Sequence, residues 1–293
     1  MGIRTRRAHQ HSKTHILAFT FIGMFGFLAL LGVTMAMSVS SLAESWLEDL
    51  PDYSSADAYL VAEPTEVYDA KGNLIAEFYL QNRRSITMDE VSPYVLKGTI
   101  DTEDIRYYQH QGVDMQGIAR AVYVQMLGGS EGASTITQQL VRNTVLSAEQ
   151  FDKTLKRKVR EAYVAMEMEK TYTKDQILMM YLNTIYYGHG AYGIEAASRT
   201  FFNKSASELS LPEAALLVGL PQSPSANDPL TNPENALARR NLVLNRMLTA
   251  GDITQAEYDE ARQTDLGLNP GSSVMAQNGT YPYWTFYIKS LLE

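Results

Sequence analysis

The sequence predicts a mainly α-helical domain with a short β-hairpin lead-in, preceded by one transmembrane helix. Basic residues followed by a long uncharged apolar run predict the membrane helix, and two β-rich segments flanking Asp69-Ala70-Lys71-Gly72-Asn73 predict the hairpin. From Ser92 onward helix-start signals recur, and strands never alternate with helices, which argues against a doubly wound sheet.

Arg4, Arg6, Arg7 and Lys13 precede the apolar run at 16–37, which matches the roughly 20 residues that cross a bilayer core. A cleaved signal peptide usually has an apolar region of only about 7–15 residues, and no sharp cleavage signal follows in Ser38, Ser40, Ser41, Leu42 and Ala43. A retained single-pass anchor is therefore expected. Cations on its N-terminal side leave residues 1–15 in the cytoplasm and the remainder outside. Residues 38–62, polar and containing Pro51, read as a stalk, and 63–270 as the folded domain.

Residues 65–68 and 74–80 form the predicted hairpin. Ser92-Pro93 is an N-cap followed by an N1 proline. Thr173 with Gln176, Ser210 with Glu213, and Thr254 with Glu257 have capping-box spacing. Asn232-Pro233 starts a further helix that Gly251 ends. The net charge of −8 excludes a basic nucleic-acid footprint, and the lack of cysteine excludes disulfides and thiolate metal sites.

Four stretches carry the chemistry. Glu103-Asp104 near a helix end reads alone as a solvated polar edge. The stretch from Gly132 to Leu140 packs hydroxyls and amides with few charges, the donors that a sugar or phosphate oxygen needs. Between 153 and 169, Leu155, Val159, Ala162 and Met166 form an apolar stripe at helical spacing, opposite Lys153, Lys156, Arg160 and Glu167. Glu161, with Arg157 and Lys158, lies on neither face; its flank continues through Val164, Ala165 and Met168, so it is expected half-buried. A surface ion pair is the plainer reading of Glu161, but the basic residue precedes the acidic one, the weaker order. The last stretch, 181–194, sets Gly188, Gly190 and Gly193 among aromatics after a helix, which implies a sharp turn and an aromatic core corner. His110 and His189 lie far apart and no cysteine accompanies them, so neither is expected to ligate a metal.

These stretches, in this order, resemble the conserved blocks of glycosyltransferase family 51, the polymerase domain of class A penicillin-binding proteins. Glu103-Asp104 through His110 and Gly112 resembles E-D-x-x-F-x-x-H-x-G, and Gly132 through Asn143 resembles G-x-S-T-I-T-Q-Q-L-x-K-N. Arg157-Lys158 with Glu161 resembles R-K-x-x-E, and Ile177 through Phe202 resembles the I-L-E-x-Y-L-N block and its glycine-aromatic continuation. Leu211 through Pro224 resembles L-x-E-A-A-L-L-A-G-L-P-Q-S-P. The chain departs from the pattern at Tyr107 for Phe, Asp101 for Ala, Met179 for Glu and Arg142 for Lys. Residues 271–293 resemble the start of a linker toward a transpeptidase domain, and no Ser-x-x-Lys motif is present.

The resemblance implies a lysozyme-like, two-lobed glycosyltransferase domain with a membrane-dipping surface, for which 118–127 is the candidate. It implies polymerisation of lipid II onto a lipid-linked growing glycan, with inversion and release of undecaprenyl pyrophosphate. Glu103 is the implied general base and Glu161 the second catalytic carboxylate. Asp104, Ser134, Thr135, Gln138, Gln139, Arg142, Arg157, Lys158 and Asn183 are the implied substrate contacts. No cofactor is required by the resemblance, though a divalent cation, Mg or Mn, at the pyrophosphate is compatible with it; Glu161 is expected to help hold the cations Arg157 and Lys158, the donor, or such an ion. Expected partners are the lipid-linked substrates, the bacterial membrane, and other cell-wall synthesis or division proteins. Two rival readings share these features: a lysozyme-like lytic enzyme, which has no use for the Arg157-Lys158 cations, and a catalytically weakened scaffold, suggested by Met179 and Asp101.

Overall fold

A computed structural model of the chain describes residues 40–59, 65–68, 70–72, 74–78, 82–129 and 132–270, with isolated positions between 24 and 38. The predicted cytoplasmic tail, much of the predicted span at 16–37, and the linker-like segment 271–293 lie outside the described residues. Among the described residues no helix is long and apolar enough to cross a membrane. The chain divides into two compact units, Met1–Leu50 with Thr154–Arg160, and Pro51–Lys153 with Glu161–Glu293.

In the smaller unit the described positions from 24 to 47 are helical. Their apolar side chains, Phe27, Leu30 and Met35 among them, stand exposed. Arg160, buried in this unit, donates from Nη2 to the Asp49 carbonyl at 2.5 Å.

The larger unit begins with part of the segment read as a stalk. Tyr59, 4% exposed, meets Tyr172 edge-on at 5.7 Å, and Tyr53 meets Tyr163 in the same way at 6.0 Å. The expected hairpin follows: β1 (Thr65–Tyr68) pairs antiparallel with β2 (Leu74–Phe78), in a register that sets Thr65 opposite Phe78. A second small sheet was not legible in the sequence. β3 (Asn82–Arg83) runs parallel to β5 (Ala191–Tyr192), which pairs antiparallel with β4 (Tyr186–Gly188). Strands of two or three residues are too short to show alternation. Arg83 stitches this sheet together, its guanidinium 4.5 Å above the Tyr192 ring and bonded to the Thr184 carbonyl at 3.1 Å.

The rest is helical. Pro93 opens α1 (Pro93–Glu103) behind Ser92, and α2 (Met115–Met126) is capped by Asp114, whose carboxylate accepts from the Gly117 amide at 3.0 Å. Then come α3 (Ile136–Asn143), α4 (Leu155–Thr171), α5 (Lys174–Thr184) and α6 (Ile194–Phe202). α7 (Leu211–Gly219), α8 (Pro233–Ala250) and α9 (Gln255–Gln263) complete the order. All three expected capping boxes form, at α5, α7 and α9, and Gly251 ends α8 in the left-handed region at φ +85°. α1, α7 and α8 pack against one another through Val95, Leu217, Val218, Val243, Leu244 and Met247, while α3 packs on α5.

The apolar stripe expected for α4 is not its buried face. Leu155 and Met166 are 70% and 41% exposed, whereas Glu161, Val164, Ala165 and Met168 are buried. Glu161 is thus fully enclosed rather than half-buried, and Arg160, expected to face water, is enclosed as well. The reason is a close backbone crossing. Gly112, at φ +80°, lies so near Ala165 that a Cβ there would sit 2.7 Å from the Ala165 carbonyl. That crossing turns the flank of α4, not its apolar stripe, inward.

Candidate active site

Glu103 is the last residue of α1, and Asp104 caps it. Asp104 is buried and accepts three hydrogen bonds. His110 Nε2 donates to its two oxygens at 3.0 and 2.9 Å, and the backbone N–H of Ile136, the first residue of α3, donates at 3.1 Å. A carboxylate at a helix N-terminus is favoured by the helix dipole and the unpaired N–H groups there. Asp104 therefore fastens the end of α1 to the start of α3. From the second turn of α3, Gln139 Nε2 donates to Glu103 Oε2 at 2.8 Å. On the other side, Arg239 Nη2 of α8 lies 3.8 Å from Glu103 Oε1.

Glu103, Asp104, Gln139 and Arg239 line one cleft of about 740 Å³. Five arginines line it, Arg106, Arg120, Arg142, Arg239 and Arg246, with the carboxyls of Asp101, Glu103, Asp104 and Asp114. Arg106 pairs with Asp114 at 2.5 Å, and Arg246 donates to the Thr102 carbonyl. Arg239 is fixed by its bond to the Gly219 carbonyl at 3.1 Å; burial pulls its guanidinium below the ordinary range and Glu103 offsets part of that. Asp101 is pushed up to about 7, first by burial and then by the neighbouring Asp252 carboxylate, with Lys97 acting in the opposite direction. Such a pocket is a polar cleft rich in guanidinium forks, the donor geometry that matches phosphate oxygens, with Glu103 held between Gln139 and Arg239.

Residues 71–248 match the family model described as transglycosylase. The chain belongs to the transglycosylase family. It is 41% identical to penicillin-binding protein 1A of Escherichia coli (strain K12) over 264 residues, covering 89% of this chain and 31% of that one. It is 38% identical to penicillin-binding protein 1F of Bacillus subtilis (strain 168) over 231 residues, covering 78% and 31%. A crystal structure of penicillin-binding protein 1A from Haemophilus influenzae matches at 24% identity and a TM-score of 0.46, covering 79% of this chain and 24% of that one. The chain thus spans about a third of the length of these curated relatives. The matched region is a transglycosylase domain.

Within this transglycosylase cleft stand six of the expected residues: Glu103, Asp104, Ser134, Thr135, Gln139 and Arg142. Thr135 and Gln138 form a capping box at the start of α3, with the Thr135 hydroxyl accepting from the Gln138 amide at 3.1 Å and donating to the Gly112 carbonyl at 2.7 Å. Thr135-Ile136-Thr137-Gln138 has that spacing in the sequence, a signal open to anyone reading for caps. Asn183 bonds both ends of its amide to the Ile86 backbone, at 3.1 and 2.9 Å. Glu161 is enclosed in the larger unit; Arg157 and Lys158 belong to the smaller one. The chief omission from the sequence reading is α8. Arg239, Leu242, Arg246 and Thr249 recur at helical spacing on one face, and all four line the cleft.

The donor set does not form a cage for a divalent cation. Among the described residues no three His, Cys, Asp or Glu side chains converge, and Glu161 is fully buried.

Proposed function

We propose that this transglycosylase polymerises lipid II into β-1,4-linked glycan strands at the outer face of a bacterial cell membrane, anchored by residues 16–37 with its N-terminus in the cytoplasm. The observation that carries the reading is the Glu103 carboxylate, held by Gln139 in a cleft lined by five arginines. Glu103 takes the proton from the acceptor sugar's 4-hydroxyl as that oxygen attacks the anomeric carbon of the lipid-linked donor. One displacement inverts that centre and expels the lipid pyrophosphate, which gathers negative charge as it leaves.

Cations aimed at the leaving group stabilise the transition state more than the ground state. In the cleft Arg142, Arg239 and Arg246 suit that task, and the family motif adds Arg157 and Lys158. An Mg or Mn ion arriving with the pyrophosphate would take its ligands mainly from phosphate oxygens and water. The membrane reading rests on the apolar run at 16–37 and on α2, which leaves Val122, Tyr123, Met126 and Leu127 exposed. Large exposed apolar surfaces of that kind mark membrane or partner contact.

A lytic enzyme has no leaving pyrophosphate, so the arginine-rich wall favours the polymerase. The test is incubation of the purified protein with lipid II and separation of the products on a gel. A ladder of long glycans is expected. Shortening of preformed strands without any growth from lipid II would overturn the reading.

A further inference from the structure

We infer that Tyr181 is a positioning residue for this reaction: its hydroxyl anchors the Oε1 end of the Gln139 side-chain amide and so aims Nε2 at Glu103. This rests on the reading of Glu103 as the base. An amide side chain has a donor end and an acceptor end of nearly the same shape, so something must choose between them. Glu103, an acceptor only, selects the N–H end, and Tyr181 anchors the other end from behind. Gln139 Oε1 accepts from the Tyr181 hydroxyl at 3.3 Å, while Nε2 donates to Glu103 Oε2 at 2.8 Å. If the amide were flipped, its carbonyl oxygen would face a carboxylate.

Tyr181 stands on α5, which packs on α3, and its side chain is 2% exposed. Gln139 is 9% exposed, so its amide is largely shielded from water. Burial pushes the Tyr181 phenol well above its ordinary range, which keeps it a donor throughout the working pH range. Without the hydroxyl, Oε1 loses this bond and Nε2 is no longer held in line with Glu103. A plain core tyrosine would do none of this. Its ring would matter and its oxygen would not.

The distinguishing experiment is a double-mutant cycle on the full chain, measuring kcat and KM for lipid II in wild type, Tyr181→Phe, Gln139→Ala and the double variant, with Glu103→Gln as reference. Tyr181→Phe is expected to lower kcat about tenfold, the worth of one neutral hydrogen bond, with KM nearly unchanged. The double variant should be no slower than Gln139→Ala alone. Wild-type kcat in Tyr181→Phe, or losses that multiply in the double variant, overturns the inference. If Glu103→Gln collapses while Tyr181→Phe does not, only this inference falls; if Glu103→Gln polymerises normally, the base assignment falls with it. Should Tyr181→Phe melt below the assay temperature, Gln139→Glu keeps an acceptor for Tyr181 but removes the donor to Glu103. Its kcat must then fall as far as that of Gln139→Ala; an unchanged kcat overturns the inference.

Discussion

Replacing Glu103 with Gln tests the base more sharply than any other single change. The amide keeps the size of the carboxylate, and its carbonyl oxygen still accepts the Gln139 bond that spans 2.8 Å in the wild type. What it loses is basicity. General-base catalysis contributes about 10²–10⁴-fold, so polymerisation of lipid II should fall at least a hundredfold, a barrier increase of about 2.7 kcal/mol or more. The effect on stability should be smaller. Arg239 lies 3.8 Å from Glu103 and keeps its own bond to the Gly219 carbonyl. That long, unbonded pair is worth about 1 kcal/mol, or roughly 2–4 °C in melting temperature for a domain of this size. The assay is initial-rate polymerisation beside a melting curve, with a phosphoglycolipid that imitates the donor as a binding probe. Binding should change little, because the arginines remain. Wild-type rate in a folded Glu103→Gln protein would refute the mechanism and send the search for a base to Asp101, Asp104 and Glu161.

Arg239→Met should lower kcat and weaken binding of the donor mimic together; loss of binding alone would remove Arg239 from the transition state. Gly112→Ala should destabilise the fold by about 2 kcal/mol or more, since it combines a positive φ with a Cβ 2.7 Å from the Ala165 carbonyl; an unchanged melting temperature would refute that crossing. Asp101→Asn bears on pH. The folded-state value near 7 lies above the ordinary 3.8, so the contribution of Asp101 to stability is full below about pH 4 and is lost as pH rises toward 7. The variant should flatten that slope and gain on the order of 1–4 kcal/mol above pH 7, read as melting temperature against pH; parallel curves would refute it.

Local signals in the sequence were reliable where the cause is local. The three capping boxes and Gly251 each satisfy helix-end groups within a few residues of themselves, and Pro93 presets the first helical φ, so no tertiary partner is needed to read them. α4 misled because its inward face is chosen by Gly112, some fifty positions upstream, and not by its own apolar stripe. The cleft residues were found where family blocks mark them and missed on α8, where no block was quoted and where helical periodicity alone would have grouped Arg239 with Arg246. Asn183 and Gln138 illustrate a different limit. A polar residue inside a family block can be fixing backbone, and only its hydrogen bonds tell.

A buried polar chain behind the cleft explains why those hydrogen bonds matter to function. Asp104 bonds His110, Lys174 Nζ lies 3.4 Å from His110 Nδ1 and 2.8 Å from Glu169, and Thr137 donates to Glu169 at 2.5 Å. Tyr107, with its hydroxyl added where the family has Phe, donates to the Lys174 carbonyl at 2.7 Å and carries the Lys174 ammonium 4.4 Å above its ring. Each link joins a different element: the end of α1, the start of α3, the last turns of α4 and the first residue of α5. A network of this kind specifies geometry because any member left unpaired in a buried setting is costly. Glu103 and Gln139 are carried on the first two of those elements, so their separation is fixed by backbones rather than by flexible side chains. A displacement that depends on one base and a wall of cations gains mainly from reacting atoms held in place. On the proposed mechanism, the chain behind Asp104 would serve catalysis by holding Glu103 and Gln139 at their separation.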